Sequence, residues 1–193
     1  LEWGIAREAQ DELAASSHQK MAAAYEEGFF DDLITPFLGL ERDNNLRADS
    51  TVEKLAKLKP AFGKGDARTM TAGNSTPLTD GASCVLLASE EWAKANGHEV
   101  LAYLTFQETA AVDFVEKKEG LLMAPAYAVP RMLERAGITL QDFDYYEIHE
   151  AFASQVLSTL KAWEDPKFCK DRLGLDAPLG SICLLYTSDA ADE

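Results

Sequence analysis

The run Asp144-Tyr145-Tyr146-Glu147-Ile148-His149-Glu150-Ala151-Phe152-Ala153 constrains the fold more than any other stretch of the chain. Its first half is aromatic and β-prone, and it stops abruptly at a His-Glu pair. A helical run starts at once, through Ala151, Phe152, Val156, Leu157, Leu160 and Trp163. A strand turning directly into a helix points to an α/β protein, in which such junctions lie at the carboxyl ends of strands where ligands gather. The free N–H groups and positive end of the following helix favour an anion or a developing oxyanion there.

Upstream, Ile5 to about Glu27 is the clearest helix: Ile5, Ala9, Leu13, Ser17, Met21 and Tyr25 recur roughly every four residues. Glu8, Asp11, Glu12 and Lys20 fall on the opposite, polar face, and Gly28 is the stop. His18 within it reads as a surface or packing residue. From Phe29 to Gly65, Pro36, Gly39, Asn44, Asn45, Pro60 and Gly63 punctuate short fragments, with one helical piece at Val52 to Leu58. Cys84 to Ala88 is a continuous apolar run of the kind buried on both faces of a sheet, which makes Cys84 a buried structural thiol. Glu90 to Asn96 reads as a short helix closed by Gly97, His98 as solvent-facing loop, and Val100 to Phe106 as a further strand. Arg131 to Gly137 is a helix with Pro near its start and Gly at its end. The alternation of strands and helices makes α/β the expected class.

Charge narrows the function classes. The 193 residues carry a net charge of −15, which argues against nucleic-acid binding by bulk electrostatics. Between Glu41 and Arg68, however, seven basic residues face five acidic ones, a local +2 that leaves −17 elsewhere. Such an island suits a small phosphorylated ligand, or is an ordinary solvated loop. No apolar run is long enough for an integral membrane segment. Leu1-Glu2-Trp3-Gly4 offers neither a signal peptide nor an initiator Met. Three scattered cysteines favour a reducing compartment, so a cytoplasmic location is expected.

His149-Glu150-Ala151-Phe152-Ala153 resembles the start of a His-Glu-x-x-His zinc site but has Ala153 where the second ligand must stand. His98 and His18 lie 51 and 131 residues away, so no metal is expected. There is no Gly-rich phosphate loop and no Gly-x-Ser-x-Gly elbow. The hydroxyls and amide of Asn74, Ser75 and Thr76 offer hydrogen bonds to a ligand, or turn chemistry alone. Chemistry by itself leaves His149-Glu150 open between a structural and a reactive junction.

Three stretches in order carry a resemblance: Thr71-Ala72-Gly73-Asn74-Ser75-Thr76-Pro77-Leu78-Thr79-Asp80-Gly81-Ala82, Leu121-Leu122-Met123-Ala124-Pro125-Ala126-Tyr127, and Asp144 to Ala153. Together they resemble thiolases, and the likeness extends back through Gly4 to Asp11 and Ser17-His18-Gln19-Lys20. It covers about residues 1–182. His149 where many thiolases have Asn resembles the thiolase subunit of fatty-acid β-oxidation complexes. The resemblance implies a layered α/β/α/β/α fold, incomplete in this chain. Residues 1–68 would end the inserted loop domain, 69–90 would close the N-terminal half, 91–182 would start the C-terminal half, and 183–193 would be a non-native tail.

It further implies reversible thiolysis of 3-ketoacyl-CoA to acetyl-CoA and a shortened acyl-CoA, with coenzyme A as substrate and no covalently bound cofactor. Thr76, Met123 and Phe152 would contact the pantetheine arm. His149 would help build the oxyanion site, directly or through water, and Glu150 would orient it from behind. The full-length protein would be a homo-oligomer, with a hydratase–dehydrogenase subunit as a further partner. The family's nucleophilic cysteine motif, its Gly-His-Pro motif and its final Cys-x-Gly motif are missing from this sequence, and Cys84, Cys169 and Cys183 match neither catalytic cysteine. The chain alone is therefore expected to be inactive and not to fold stably. Its last residues, Cys183 to Glu193, resemble translated sequencing-adaptor sequence. The other readings are a biosynthetic acetoacetyl-CoA thiolase, a non-catalytic thiolase-like acyl-CoA-binding protein, and a free-standing acidic α/β interaction domain.

Overall fold

The computed structural model describes residues 3–63, 65, 67–117 and 119–182. Lys64 and Asp66 of the basic segment, Cys183 and the remainder of the tail lie outside the described residues. The first long element is α1 (Arg7–Glu26), which ends where Gly28 adopts φ +78°. Its stripe from Ile5 to Tyr25 is only half-buried. The fully buried positions are Gln10, Asp11 and Ala15. Asp11, expected on the polar face, is thus in the interior, because a charge partner on its own helix and an amide far along the chain both reach it.

Helix α2 (Val52–Leu55) opens with the Thr51 side chain accepting from the Lys54 amide and packs on α1. Helix α3 (Glu90–Ala95) is capped by Ser89, whose hydroxyl accepts from the Trp92 amide. His98 is exposed and stacks on Trp92 with centroids 5.4 Å apart. Helix α4 (Ala124–Ala136) begins seven residues before the sequence signal at Arg131 and runs through Pro130. A proline in a helix frees the carbonyl four residues back. That carbonyl is Ala126 O, and Trp163 Nε1 donates to it at 3.3 Å. The helix ends at left-handed Gly137, whose amide returns to Leu133 O.

Helix α5 (Ala153–Glu164) follows the His-Glu pair, and α6 (Pro166–Asp171) follows directly, capped by Asp165. Two apolar clusters hold α4, α5 and α6 together. Met123, Ala126, Ala162 and Phe168 form one, with Trp3, Tyr127 and Leu173 against it. Leu133, Leu140 and Trp163 form the other. Cys169 is buried in the same region, its thiol directed at the Ala162 and Trp163 carbonyls.

The expected strands behave differently. Among the described residues Cys84–Ala88, Val100–Phe106 and Tyr145–Ile148 form no ladder, and only three isolated antiparallel bridges occur: Phe37 with Leu40, Pro60 with Thr71, and Ser75 with Phe152. Leu86 and Leu101 are 68% and 89% exposed, and Cys84, expected buried, is exposed. A strand acquires its hydrogen bonds and its cover only from neighbours, and these segments have none among the described residues.

Candidate functional site

The start of α5 is where distant segments meet. Ser75 and Phe152 are both extended, with φ −140° and −144°, and pair as an antiparallel bridge. Beside it the Thr76 amide donates to Ala151 O at 2.8 Å. This joins the Thr71–Ala82 stretch to the His-Glu stretch across more than seventy residues of chain. The loop is seated from below by a 3-10 turn at Ala72–Asn74, capped by the Thr71 hydroxyl. At Gly73 a Cβ would come within 2.5 Å of Leu58 Cδ1 and 2.6 Å of Leu55 Cδ2, so the missing side chain lets these leucine methyls pack directly on the turn. Phe62 covers Phe152 edge-on at 5.7 Å.

A cavity of about 510 Å³ opens against this junction. Its walls include Leu13 and His18 from α1, Arg47 from the basic segment, Ser75 and Thr76 from the loop, and Glu150. Thr76 is exposed, so a ligand in the cavity reaches its hydroxyl without rearrangement, whereas Phe152 is half-buried and is not among the residues that line the cavity. The first turn of α5 faces the same space through Ala153, placing the positive end of a three-turn helix at its wall.

His18, read from sequence as surface or packing, lines this cavity. Its Nδ1 accepts from the Arg47 amide at 3.3 Å, which requires the proton to be off that nitrogen. Burial and then the Arg47 charge hold its pKa below the ordinary 6.5, against the opposing pull of Asp43 and Glu150. Arg47 turns its guanidinium onto the Asn44 and Leu46 carbonyls. Elsewhere in the island, Lys54 pairs with Asp49 and Arg42 lies over the Tyr25 ring at 4.4 Å. The charge island was legible as composition. That Arg47 and His18 share a cavity was not, since 29 residues separate them.

The remaining sequence candidates divide. Glu150 reaches the cavity, and His149 lies exposed just before the helix. Met123 is 1% exposed and sits in the core, where Gln155 Nε2 donates to its sulfur at 3.2 Å. It is not among the residues that line the cavity. Its turn is fixed by Glu119, which accepts from Arg172 at 3.0 Å and from the Tyr127 hydroxyl. Burial, and then that bond to Glu119, push the Tyr127 phenol up to about 12. Asn74, considered as a ligand donor, instead turns inward to Asp11. Gln155 had no sequence signal beyond its place one turn into the helix. Among the described residues no group of three or more His, Cys, Asp or Glu could hold a metal ion, and no helix is long and apolar enough to cross a membrane.

Comparison with known proteins agrees along the chain. Residues 1–91 match the family model for the thiolase N-terminal domain, and residues 98–171 that for the thiolase C-terminal domain. The 3-ketoacyl-CoA thiolase of Pseudoalteromonas translucida (strain TAC 125) is 47% identical over 184 residues, 92% of this chain and 41% of that protein. A probable 3-ketoacyl-CoA thiolase of Caenorhabditis elegans is 42% identical over 186 residues, covering 93% and 40%. The chain thus spans about two fifths of the length of the curated relatives it matches. Among solved structures, human mitochondrial 3-ketoacyl-CoA thiolase in complex with CoA aligns with TM-score 0.72 and 30% identity, over 95% of this chain and 46% of that one. The dimeric peroxisomal thiolase of Saccharomyces cerevisiae gives 0.69 and 34%, over 97% and 46%. With both halves of the family pattern present in order and the thiolase-like α/β fold matched over nearly its whole length, this chain belongs to the thiolase family.

Proposed function

We propose that this chain is the coenzyme A-facing middle portion of a 3-ketoacyl-CoA thiolase, an acetyl-CoA C-acyltransferase. The observation that carries the reading is the Ser75–Phe152 bridge with its Thr76-to-Ala151 hydrogen bond. It brings two of the three thiolase-like stretches to one wall of a cavity large enough for a pantetheine arm. Thr76 offers a hydroxyl to the arm and Phe152 an apolar edge. Arg47 and the basic segment meet the phosphates. His149 donates to the thioester oxygen, directly or through water, and Glu150 orients it; a donor aimed at a developing oxyanion is worth several kcal/mol of barrier, roughly 3–4.

The nucleophile that attacks the 3-keto carbon and the groups that move protons are supplied by the rest of the thiolase length, as are the partner strands for Cys84–Ala88 and Val100–Phe106. The division of the chain at about residues 68, 90 and 182 follows from the same reading. So do a cytoplasmic location and assembly as a homo-oligomer, for which the dimeric yeast relative is the precedent.

Two measurements test this, the first on a full-length thiolase carrying this segment and the second on the 193-residue chain. In a titration with CoA followed by amide NMR, the resonances of Thr76, Phe152 and Arg47 are expected to shift together; no shift at these positions up to millimolar CoA overturns the site. In an acetoacetyl-CoA cleavage assay no turnover above a boiled control is expected. Turnover would show that the catalytic groups are on this chain.

A further inference from the structure

Beneath Thr76 lies a polar network that apolar packing does not call for. Asp11 is 1% exposed, and its Oδ2 accepts from Arg7 Nε at 2.7 Å. Its Oδ1 accepts from Asn74 Nδ2 at 2.9 Å, 63 residues away. Asn74 is itself 2% exposed: its amide also donates to Thr69 O, and its carbonyl accepts from the Thr71 amide at 2.8 Å. Arg7 extends the network to α2, with Nη2 donating to the Leu55 and Leu58 carbonyls at 2.7 and 3.1 Å. A buried carboxylate is costly unless charge and hydrogen bonds are both met, and here they are. What the network grips is the 3-10 turn whose next two residues are Ser75 and Thr76.

We propose that Asp11 is a positioning residue that acts through Asn74 to hold the Thr71–Thr76 loop in the one register that pairs Ser75 with Phe152 and sets the Thr76 hydroxyl at the cavity edge. The inference rests on the acyl-CoA reading for its functional meaning, but its geometry is testable without a ligand. Asp11 offers only acceptors, which fits a site flanked by two donors, Arg7 Nε and Asn74 Nδ2. Asparagine at position 11 meets one donor and turns its own amide toward the other.

Amide hydrogen exchange and CoA titration decide it, made on the full-length thiolase that carries this segment. Asp11→Asn is expected to speed exchange at the Thr76 amide by about tenfold or more, the scale of a lost charge-assisted bond. The Gly137 amide at the end of α4 should be unchanged, and the CoA midpoint read at Thr76 should rise by a similar factor. Asn74→Asp, which sets two carboxylates side by side, should do the same. Combining Asp11→Asn with Asn74→Asp restores a donor–acceptor pair in the opposite sense and should recover much of the Thr76 protection. If Asp11→Asn does not fold, Arg7→Lys serves instead, keeping the charge while shortening the reach to α2. Wild-type exchange at Thr76 in these variants overturns the proposal. So does a loss that runs in step with Gly137, or a double variant no better protected than the singles. Should the wild-type chain fail to bind CoA, the acyl-CoA reading falls while the exchange result still judges the positioning role.

Discussion

The helical and the ladder-free parts of this chain both carry large apolar side chains and are opposite in burial. Met123 and Trp163 are 1% and 4% exposed; Leu104 is 80% exposed. A helix closes its backbone hydrogen bonds within itself and needs only one apolar stripe covered, which α4, α5 and α6 do for one another. A strand needs a neighbour on each edge before its backbone is satisfied, and cover on each face before its side chains are. Local segments therefore assemble into packed structure here, while Cys84–Ala88 and Val100–Phe106 stay uncovered. The candidate site falls where the two regimes meet. A loop bridges to the residues just before a helix, and a single bridge is all the sheet-like pairing that the wall requires.

The largest expected effect is on the helical side. Trp163→Ala removes a buried ring from the second cluster and the donor that occupies the Ala126 carbonyl freed by Pro130. A loss of about 3–5 kcal/mol is expected, read as collapse of exchange protection in α4 and α5. Protection persisting near wild-type would mean these helices do not depend on one another.

Smaller, and diagnostic of the junction, is the pH response of His18. Its pKa in the folded chain lies below 6.5, held down by burial first and by Arg47 second. As pH falls below 6.5 the unfolded chain takes up the proton before the folded one does, so stability present at neutral pH declines in that window. Protonation also removes the Nδ1 lone pair that accepts from the Arg47 amide. Protection of the Arg47 amide is expected to drop between pH 7 and the mildly acid range in the wild-type chain, with a flatter profile in His18→Gln. Identical profiles would place His18 outside the cavity's electrostatics.

The smallest effect on stability is expected from Leu86→Lys, since Leu86 is 68% exposed: within about 0.5 kcal/mol. The same substitution should lower self-association in sedimentation, because exposed apolar, unpaired segments are templates for pairing with another chain. A strong destabilisation would show that the ladder-free region is packed after all.

Much of this was legible in the sequence. The helix from Ile5 toward Glu27, the Gly28 and Gly137 stops, the helix after His149-Glu150 and the three stretches that mark the family all follow from residue order, because caps, glycine conformations and periodicity are local properties. Helix α4 began earlier than its sequence signal, since Pro130 masked a run that Trp163 makes tolerable by occupying the freed carbonyl. Tertiary structure alone decided the rest. It buried Asp11 on a face that periodicity assigned to solvent, because Asn74 arrives from 63 residues away. It brought His18 and Arg47 to one cavity, and it put Met123 in the core rather than in the cavity lining. It also left the strand-like segments unladdered, for the physical reason that strand pairing depends on which neighbours are present, and no stretch of sequence contains its own partner.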